Sequence, residues 1–538
     1  MAGLATSVGA GAATNSFDQI SGADTLLVFG SNTTEGHPIV SLHVQQALRN
    51  GSRLIVADPR GIELTKQADV WLNLRPGTNI ALLNGMINWI VQQDWQNHDF
   101  IDRRTQGFAE LVAAVKDYDP DRVHELTGVS PDKLKEAARL YAQADRAMIL
   151  YGLGVTEHVS GTENAMAIAN LCLTCGHIGR PATGIMALRG QNNVQGASDM
   201  GPSPHVLSGY QPIIDPDIRA KFEKAWRVSI PAQPGLKSVE MLDEAKTGKF
   251  KGLFILGADP GHTDPDLHGV WEALGRLDFL VVCDIFPTET TRFAHVILPG
   301  ASFAEKEGTF TNGERRVQRV RKAIEPLAGK AEWQMIIELA TRMGYPMQYV
   351  HPSAIMAEIA NLTPIYGGIS YERLEKENLQ WPCPSPAHPG TSTLYSDLFS
   401  RPGGLAQFIA LSHSPSGETC DSEFPFLLIT GRRREHYNSG SMTRRTAGIM
   451  QFSAEELLEI NPADARTLKI KEGEMVKIAS CRGAIKVKAR LTERSQPGMV
   501  FLAFHHQDAL TNILTSQFRD PITGTPEYKV TAVAIEKL

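Results

Sequence analysis

Two stretches of this 538-residue chain share one grammar. Thr25-Leu26-Leu27-Val28-Phe29-Gly30 runs into Ser31-Asn32, and Leu253-Phe254-Ile255-Leu256-Gly257 runs into Ala258-Asp259. Each is followed by a second apolar run that stops at an aspartate: Arg53-Leu54-Ile55-Val56-Ala57 before Asp58-Pro59-Arg60, and Phe279-Leu280-Val281-Val282-Cys283 before Asp284. Short unbroken apolar runs bounded by polar turns read as buried strands, and strands alternating with helical patterns build βαβ units with mostly parallel sheets. Ser130-Pro131 supplies an N-cap and a first helical residue for Leu134, Ala137, Ala138 and Tyr141, and a further run, Ala147 to Tyr151, stops at Gly152-Leu153-Gly154. The fold expected is therefore α/β, with two related doubly wound domains. Ligands of such sheets sit beyond the carboxyl ends of the strands, where an Asp can accept hydrogen bonds from a guanine edge or a ribose. Any one of these residues alone reads more simply as a strand terminator or helix cap. Four in one structural position weaken that simpler reading.

The segment from Arg189 to Gly201 reads Arg-Gly-Gln-Asn-Asn-Val-Gln-Gly-Ala-Ser-Asp-Met-Gly, with one guanidinium, four side-chain amides and three glycines. Val194 and Met200 are its only large apolar side chains, so it cannot pack as ordinary core. At the surface it is a polar loop; inside, every amide needs a partner, and a large polar ligand is the usual supplier.

A hydrophobic content of 42% over this length favours the second reading, because it supports roughly three or four domains with cores large enough to enclose a cofactor. The net charge of −6 is interspersed, which argues against nucleic acid or anionic lipid as partners; Arg432-Arg433-Arg434 and the stretch around Arg315-Arg316 are short exceptions. No apolar run approaches the ~20 residues of a membrane span and no charged-then-apolar leader is present, so a cytoplasmic protein is expected. The six cysteines (Cys172, Cys175, Cys283, Cys383, Cys420 and Cys481) are few, scattered and expected to be reduced. Cys172 and Cys175 form a lone C-x-x-C in an apolar helical run and read as buried helix cysteines rather than a metal or redox site.

Between Cys383 and Gly404 the chain becomes rich in Pro, Ser, Gly and Thr, as a linker would. Short alternating strands follow, such as Met475-Val476-Lys477-Ile478 and Ala484-Ile485-Lys486-Val487-Lys488, and predict a β-barrel. His505-His506 is read as part of a strand, where neighbours point to opposite faces and do not make a metal pair. The domains expected are 1–191, 192–400 and a barrel over 410–538.

Six motifs together resemble the molybdopterin oxidoreductases of the dimethyl sulfoxide reductase family, most closely the catalytic subunit of molybdenum- or tungsten-dependent formate dehydrogenase. They are His37-Pro38-Ile39-Val40, Asp58-Pro59-Arg60, Pro76-Gly77-Thr78-Asn79, the Arg189 to Gly201 segment, the block from Ala301 to Asn312, and His436-Tyr437-Asn438-Ser439-Gly440-Ser441-Met442-Thr443. The resemblance implies two molybdopterin guanine dinucleotides on one molybdenum or tungsten, with a barrel of double-psi type closing over them. It implies one dinucleotide held by Gly30, Asn32, Asp58, Arg60, Gly77, Thr78 and Asn79, with Gly190 and Gln191 near the cofactor, and a second held by Gly257, Asp259, Thr263, Asp284 and Ser302. The barrel would add Arg432, His436, Asn512, Tyr528 and Lys529. Backbone N–H groups at glycine turns and helix starts suit a pyrophosphate, and an arginine fork suits its oxygens. Arg189 matches the arginine that the family places beside the metal, where a guanidinium can orient formate; the alternative is that it contacts only pterin or pyrophosphate.

The sequence departs from the family at one point. The Cys or selenocysteine metal ligand and its following His would align just before Met1-Ala2-Gly3-Leu4, and the domain with a four-cysteine iron–sulfur site is also absent; none of the six cysteines takes the ligand's place, and no metal ligand is assigned. The expectation is a downstream part of a longer subunit, cut where a selenocysteine codon was read as stop, inactive alone and exposing apolar surface around Glu305 to Trp333. The complete subunit would pass electrons from formate through an iron–sulfur cluster to a partner subunit of iron–sulfur, nicotinamide-reducing or hydrogenase type. Two other readings stay open: an oxidoreductase acting on nitrate or another oxyanion, and a catalytically silent cofactor-binding scaffold.

Overall fold

A computed structural model describes all 538 residues, Met1–Leu538. By contacts the chain divides into two compact units. The first comprises Met1–Gly190, Thr263–Leu267 and Thr393–Leu538; the second comprises Gln191–His262 and His268–Ser392. The barrel lies in the same compact unit as the first α/β region. Buried polar bridges explain this: Arg60 donates to Glu459 at 2.7 Å and Gln496 donates to the Pro59 carbonyl at 2.7 Å.

The first unit is built on a five-stranded sheet in which every pair is parallel. Its order is Val70–Leu72, Arg53–Ala57, Thr25–Phe29, Ala147–Tyr151, Gly184–Ala187. Parallel strands need cover on both faces, and period-two alternation sorts their side chains accordingly. Leu27, Phe29, Ile55, Ala57, Ile149 and Tyr151 enter one core, shared with the helices Asn79–Gln92, Pro131–Ala142 and Gly161–Thr174. Leu26, Val28, Leu54, Val56, Met148 and Leu150 enter another, against the helix Pro38–Arg49. The chain winds outward in both directions from Thr25–Phe29, so the sheet switches between that strand and Ala147–Tyr151, where a doubly wound fold opens a crevice.

The remainder of the first unit is a closed six-stranded barrel. Around it run Phe426–Gly431, Met499–Ala503, Leu457–Ile460, Gly483–Leu491, Met475–Ser480 and Thr531–Lys537, with two parallel and four antiparallel pairings. Two expectations are corrected here. The stretch read as a linker is packed: Leu394, Tyr395 and Phe399 belong to the first core, because apolar residues are threaded among its prolines and glycines. His505 and His506 lie beyond the last strand residue, Ala503, so alternation does not separate them; their rings approach His436, with centroids at 5.3 and 4.8 Å.

In the second unit, Gly252–Leu256, Phe279–Asp284 and Val296–Pro299 form a three-stranded parallel sheet. Ile255, Leu280 and Val282 pack against Leu242, Ala273 and Leu274 of its helices. The opposite face leaves Phe254, Leu256 and Phe279 exposed at 41%, 46% and 52%. Arg315, read as part of a basic stretch, is instead fully buried and donates to the carbonyls of Trp381 and Thr391.

Candidate active site

The polar residues that end the strands of the two sheets occupy equivalent places. Thr25↔Arg53 through Phe29↔Ala57 pair in the same parallel register as Gly252↔Phe279 through Leu256↔Cys283. Gly30 and Gly257 follow the first strand of each pair with φ of 54° and 61°, a left-handed conformation that glycine adopts without a Cβ clash. The Gly30 N–H donates to the Ala57 carbonyl at 2.9 Å, and the Gly257 N–H donates to the Cys283 carbonyl at 2.8 Å. Asp58 follows the strand Arg53–Ala57 and Asp284 ends the strand Phe279–Asp284, and each carboxylate accepts from the N–H two residues on: Asp58 Oδ1 from Arg60 at 2.9 Å, and Asp284 Oδ1 from Phe286 at 3.4 Å, with a shorter bond from Ile285 at 2.7 Å. The repeat seen in the sequence is therefore a repeat in backbone geometry.

In the first unit these strand ends open into a cavity. Gly30, Asn32, Asp58, Arg60, Asn79, Gly190, Arg432 and Lys529 all line it. The glycine-rich turn after the strand Ala147–Tyr151 forms the other lip, and Gly152 and Gly154 were noted only as the end of an apolar run. A Cβ on Gly154 would lie 2.7 Å from the Gly30 carbonyl oxygen, so two strand ends can meet there only as bare backbone. Glu35, Glu157 and His158 also line the cavity. They carry no sequence signal beyond a polar residue near a glycine turn.

The lining is rich in buried polar atoms that have no protein partner. Ser31 Oγ, both amide atoms of Asn32, Nδ1 of His37, Nε of Arg60 and Nδ2 of Asn79 are all in this state. Such atoms are costly to leave unmet and a native interior holds few of them. A large ligand bearing both donors and acceptors would satisfy them, as a dinucleotide does. Burial pushes the Asp58 carboxyl up to about 6, against the opposing pull of the Arg60 N–H and the nearby charges. Arg60 itself stacks on Phe501, with Cζ 3.4 Å from the ring centroid. Lys529 Nζ bridges the Glu157 carboxylate at 2.5 Å and the Thr430 carbonyl at 3.0 Å.

The other expected residues play different parts. Gly77, at φ 83°, and Thr78, whose hydroxyl donates to the Arg75 carbonyl at 2.6 Å, shape the turn that starts the helix Asn79–Gln92. Asn512 Nδ2 and the Tyr528 hydroxyl both donate to the Thr263 carbonyl, at 2.8 and 3.0 Å. Both ring nitrogens of His436 are engaged within the barrel, by the Thr443 hydroxyl and the Ser453 carbonyl. Arg189 does not line the cavity; its Nη2 donates to the Gly11 carbonyl at 2.6 Å, and its own carbonyl lies 2.9 Å from Nε2 of His37.

In the second unit, Asp259 Oδ1 accepts from the backbone and the hydroxyl of Thr290 at 2.9 and 2.7 Å, and the Ser302 N–H donates to Glu305. Gln191 opens this unit. The amide run that follows it is satisfied differently from expectation. Asn193 Oδ1 accepts from the Thr311 N–H, and Gln195 Nε2 donates to Asp199 and the Tyr210 hydroxyl, so protein groups rather than a ligand supply those partners. Asp199 is the hub, accepting also from the Tyr366 hydroxyl and Trp381 Nε1, both at 2.7 Å.

None of the six cysteines lines the cavity; Cys172 and Cys175 are buried in and just after the helix Gly161–Thr174. No helix is long and apolar enough to cross a membrane.

Comparison with known proteins agrees with this geometry. Residues 2–342 match the family Molybdopterin oxidoreductase, and residues 426–532 match the Molydopterin dinucleotide binding domain. The chain is 43% identical, over its whole length and 79% of the relative's, to F420-dependent formate dehydrogenase 2 subunit alpha of Methanococcus maripaludis. It is 41% identical, over its whole length and 76% of the relative's, to formate dehydrogenase H of Escherichia coli. Among solved structures, acetylene hydratase from Pelobacter acetylenicus shares the fold, with a TM-score of 0.78 at 19% identity over all of this chain and 80% of that one. Family match, strand-end repeat and barrel together place this chain in the molybdopterin oxidoreductase family.

Proposed function

We propose that this chain is the cofactor-clasping part of a formate dehydrogenase catalytic subunit, which oxidises formate to carbon dioxide at a molybdenum or tungsten centre carried by two molybdopterin guanine dinucleotides. The observation that carries the reading is the pair of equivalent strand ends, Gly30 with Asp58 and Gly257 with Asp284, each of which would take one nucleotide. The names of the relatives support formate as the substrate.

When bound, the metal supplies an acceptor for two electrons. The chain's residues do the holding. Asp58 presents a carboxylate to the donor edge of a guanine, and Arg60, Arg432 and Lys529 offer positive charge to pyrophosphate oxygens. In the second unit Gly257, Asp259, Asp284 and Ser302 take the corresponding part; Thr263, which belongs to the first unit, is braced there by Asn512 and Tyr528. Arg189 orients the substrate: formate has two oxygens and almost no apolar surface, so a planar guanidinium must fix most of its direction. His37 holds the Arg189 carbonyl and keeps that backbone in place. An iron–sulfur centre would supply the route by which electrons reach a partner subunit. The reduced cysteines and mixed surface charge support a cytoplasmic location.

One observation favours a second reading. With no cysteine lining the cavity, the chain can bind the cofactor without contributing a thiolate to the metal, as a silent scaffold would. Both readings are tested by expressing the chain in a host that makes the cofactor. Guanine nucleotide released on denaturation and formate-dependent dye reduction are then measured. Two guanine nucleotides per chain, with dye reduction that Arg189→Lys lowers by about 100-fold or more, support the proposal. Two nucleotides with no formate oxidation indicate the scaffold. Absence of guanine nucleotide sinks both.

A further inference from the structure

The first unit contains a second cavity, which shares Glu35, Arg60, Arg432 and Phe501 with the first. Its lining holds six arginines and only three glutamates. Every glutamate is already matched: Glu459 to Arg60 at 2.7 Å, Glu35 to Arg494 at 2.8 Å and Glu435 to Arg434 at 3.0 Å. Arg432, Arg433 and Arg490 have no such ion-pair partner, so the cavity carries an excess of positive charge.

The buried polar atoms without partners point the same way. Arg433 Nε and Ser453 Oγ are buried, belong to residues that line this cavity and not the first, and make no hydrogen bond. Ser453 is 6% exposed. The guanidinium nitrogen can only donate, and a hydroxyl donates readily to an anion. An occupant must therefore bring acceptors and negative charge together. Arg433 is held for this role, since its Nη2 donates to the Leu457 carbonyl at 2.9 Å and its backbone N–H to Nε2 of His505 at 2.9 Å.

We propose that this arginine-lined cavity binds a small oxyanion, a carboxylate or a phosphate, on Arg433 and Ser453, at a site separate from the dinucleotide cavity. The site lies across the Arg60–Phe501 wall and does not depend on formate being the substrate. If the anion is a carboxylate, the cavity is an antechamber in which substrate gathers; if it is phosphate, it is an independent site.

The test is calorimetric titration of the purified chain with inorganic phosphate, formate and chloride at constant ionic strength, with GMP as the reporter for the first cavity. Binding of phosphate or formate beyond that of chloride, weakened about tenfold or more by Ser453→Ala and by Arg433→Gln while GMP binding is unchanged, supports the site. Arg433→Lys, which keeps the charge but loses the fork, serves if Arg433→Gln does not fold, and the same weakening is expected. Binding of formate as well as phosphate assigns the antechamber, and phosphate alone assigns the independent site. No binding beyond chloride overturns the proposal, and so does parallel loss of phosphate and GMP binding in the variants, which would make the two cavities one site.

Discussion

A Cβ atom at Gly190 would lie 2.7 Å from Nη1 of Arg432. The glycine that follows Arg189 is thus the surface against which the Arg432 guanidinium rests, and both line the first cavity. Burial disfavours the charged form of Arg432, so its position matters to any anion that neutralises it. Because the clashing atoms are at the end of a flexible side chain, Gly190→Ala is expected to change stability by less than about 1 kcal/mol but to move Arg432. Affinity for GDP should fall about tenfold, relative to a smaller change for GMP. The contrast is Gly30→Ala, where a Cβ would meet the Gly154 backbone at 2.7 Å and φ is 54°; unfolding by denaturant should show a loss of about 2–4 kcal/mol. Equal GDP affinity in Gly190→Ala and the parent would remove Arg432 from the proposed pyrophosphate site.

Asp58 makes nucleotide binding depend on pH. Its carboxyl is raised by burial from 3.8 to about 6, and only the carboxylate can accept from both donors on a guanine edge. GMP affinity should therefore rise from pH 5 to pH 7 and then level. In Asp58→Asn the profile should be flat and the preference for GMP over AMP should disappear. The stability effect has the opposite sense. A carboxyl raised in the folded state contributes stability below 3.8, and that contribution is lost as pH rises through about 6. Added GMP should offset it, because ligand bound only by the folded chain stabilises by mass action. A GMP affinity independent of pH over this range would contradict the assignment of Asp58.

The histidines that follow the barrel strand titrate in the other direction. Burial lowers His505 to about 3, and its Nε2 accepts from the Arg433 N–H while Nδ1 lies 2.5 Å from the Asn438 carbonyl, a pattern that a neutral ring satisfies. Burial likewise lowers His506 to about 4. Groups depressed from 6.5 contribute stability above that pH and lose it as pH falls toward the folded values. Acid unfolding should accordingly steepen below pH 6.5, by up to roughly 1.4 kcal/mol per pH unit for each ring. His505→Gln keeps a polar side chain that does not titrate, and its stability curve between pH 6.5 and 4 should be shallower. A parallel curve would mean that the ring is already accommodated as a cation.

The strands were legible because their signal is local. Four apolar residues in a row ending on Gly30 or Asp58 can only be buried on both faces, and the expected boundaries fall within one residue of Thr25–Phe29 and Arg53–Ala57. The equivalence of the two halves was legible for the same reason, since one glycine and one aspartate carry it. The cavity's far lip was not: Gly152, Gly154, Glu157 and His158 are ordinary residues until the sheet's switch point brings their turn against Gly30. The amide run misled because its composition suggested a ligand, whereas Asp199, Tyr210 and Thr311 supply partners through tertiary contacts that no spacing encodes. Packed apolar residues in a Pro- and Ser-rich stretch were hidden similarly, with Tyr395 and Phe399 reaching the core from a segment that reads as linker.

The sheet of the second unit makes a last prediction, because its uncovered face breaks a rule that the first sheet obeys. Parallel sheets are normally buried on both sides, yet Phe254, Leu256 and Phe279 are about half exposed on one face of this one. At roughly 25 cal/mol per Å², covering three such side chains is worth several kcal/mol, enough to drive self-association when nothing else covers them. The chain alone should therefore sediment as a concentration-dependent mixture of species. Phe254→Lys combined with Leu256→Glu should shift it to monomer, with little loss of stability, since both side chains project from the bare face rather than into the packed cluster around Ile255 and Leu280. The expectation that apolar surface is exposed around Glu305 to Trp333 makes a separable claim, with Ile324 and Leu327 exposed there at 56% and 96%. If Ile324→Lys with Leu327→Lys abolishes association while the strand pair leaves it unchanged, that loop and not the sheet face is the sticky surface.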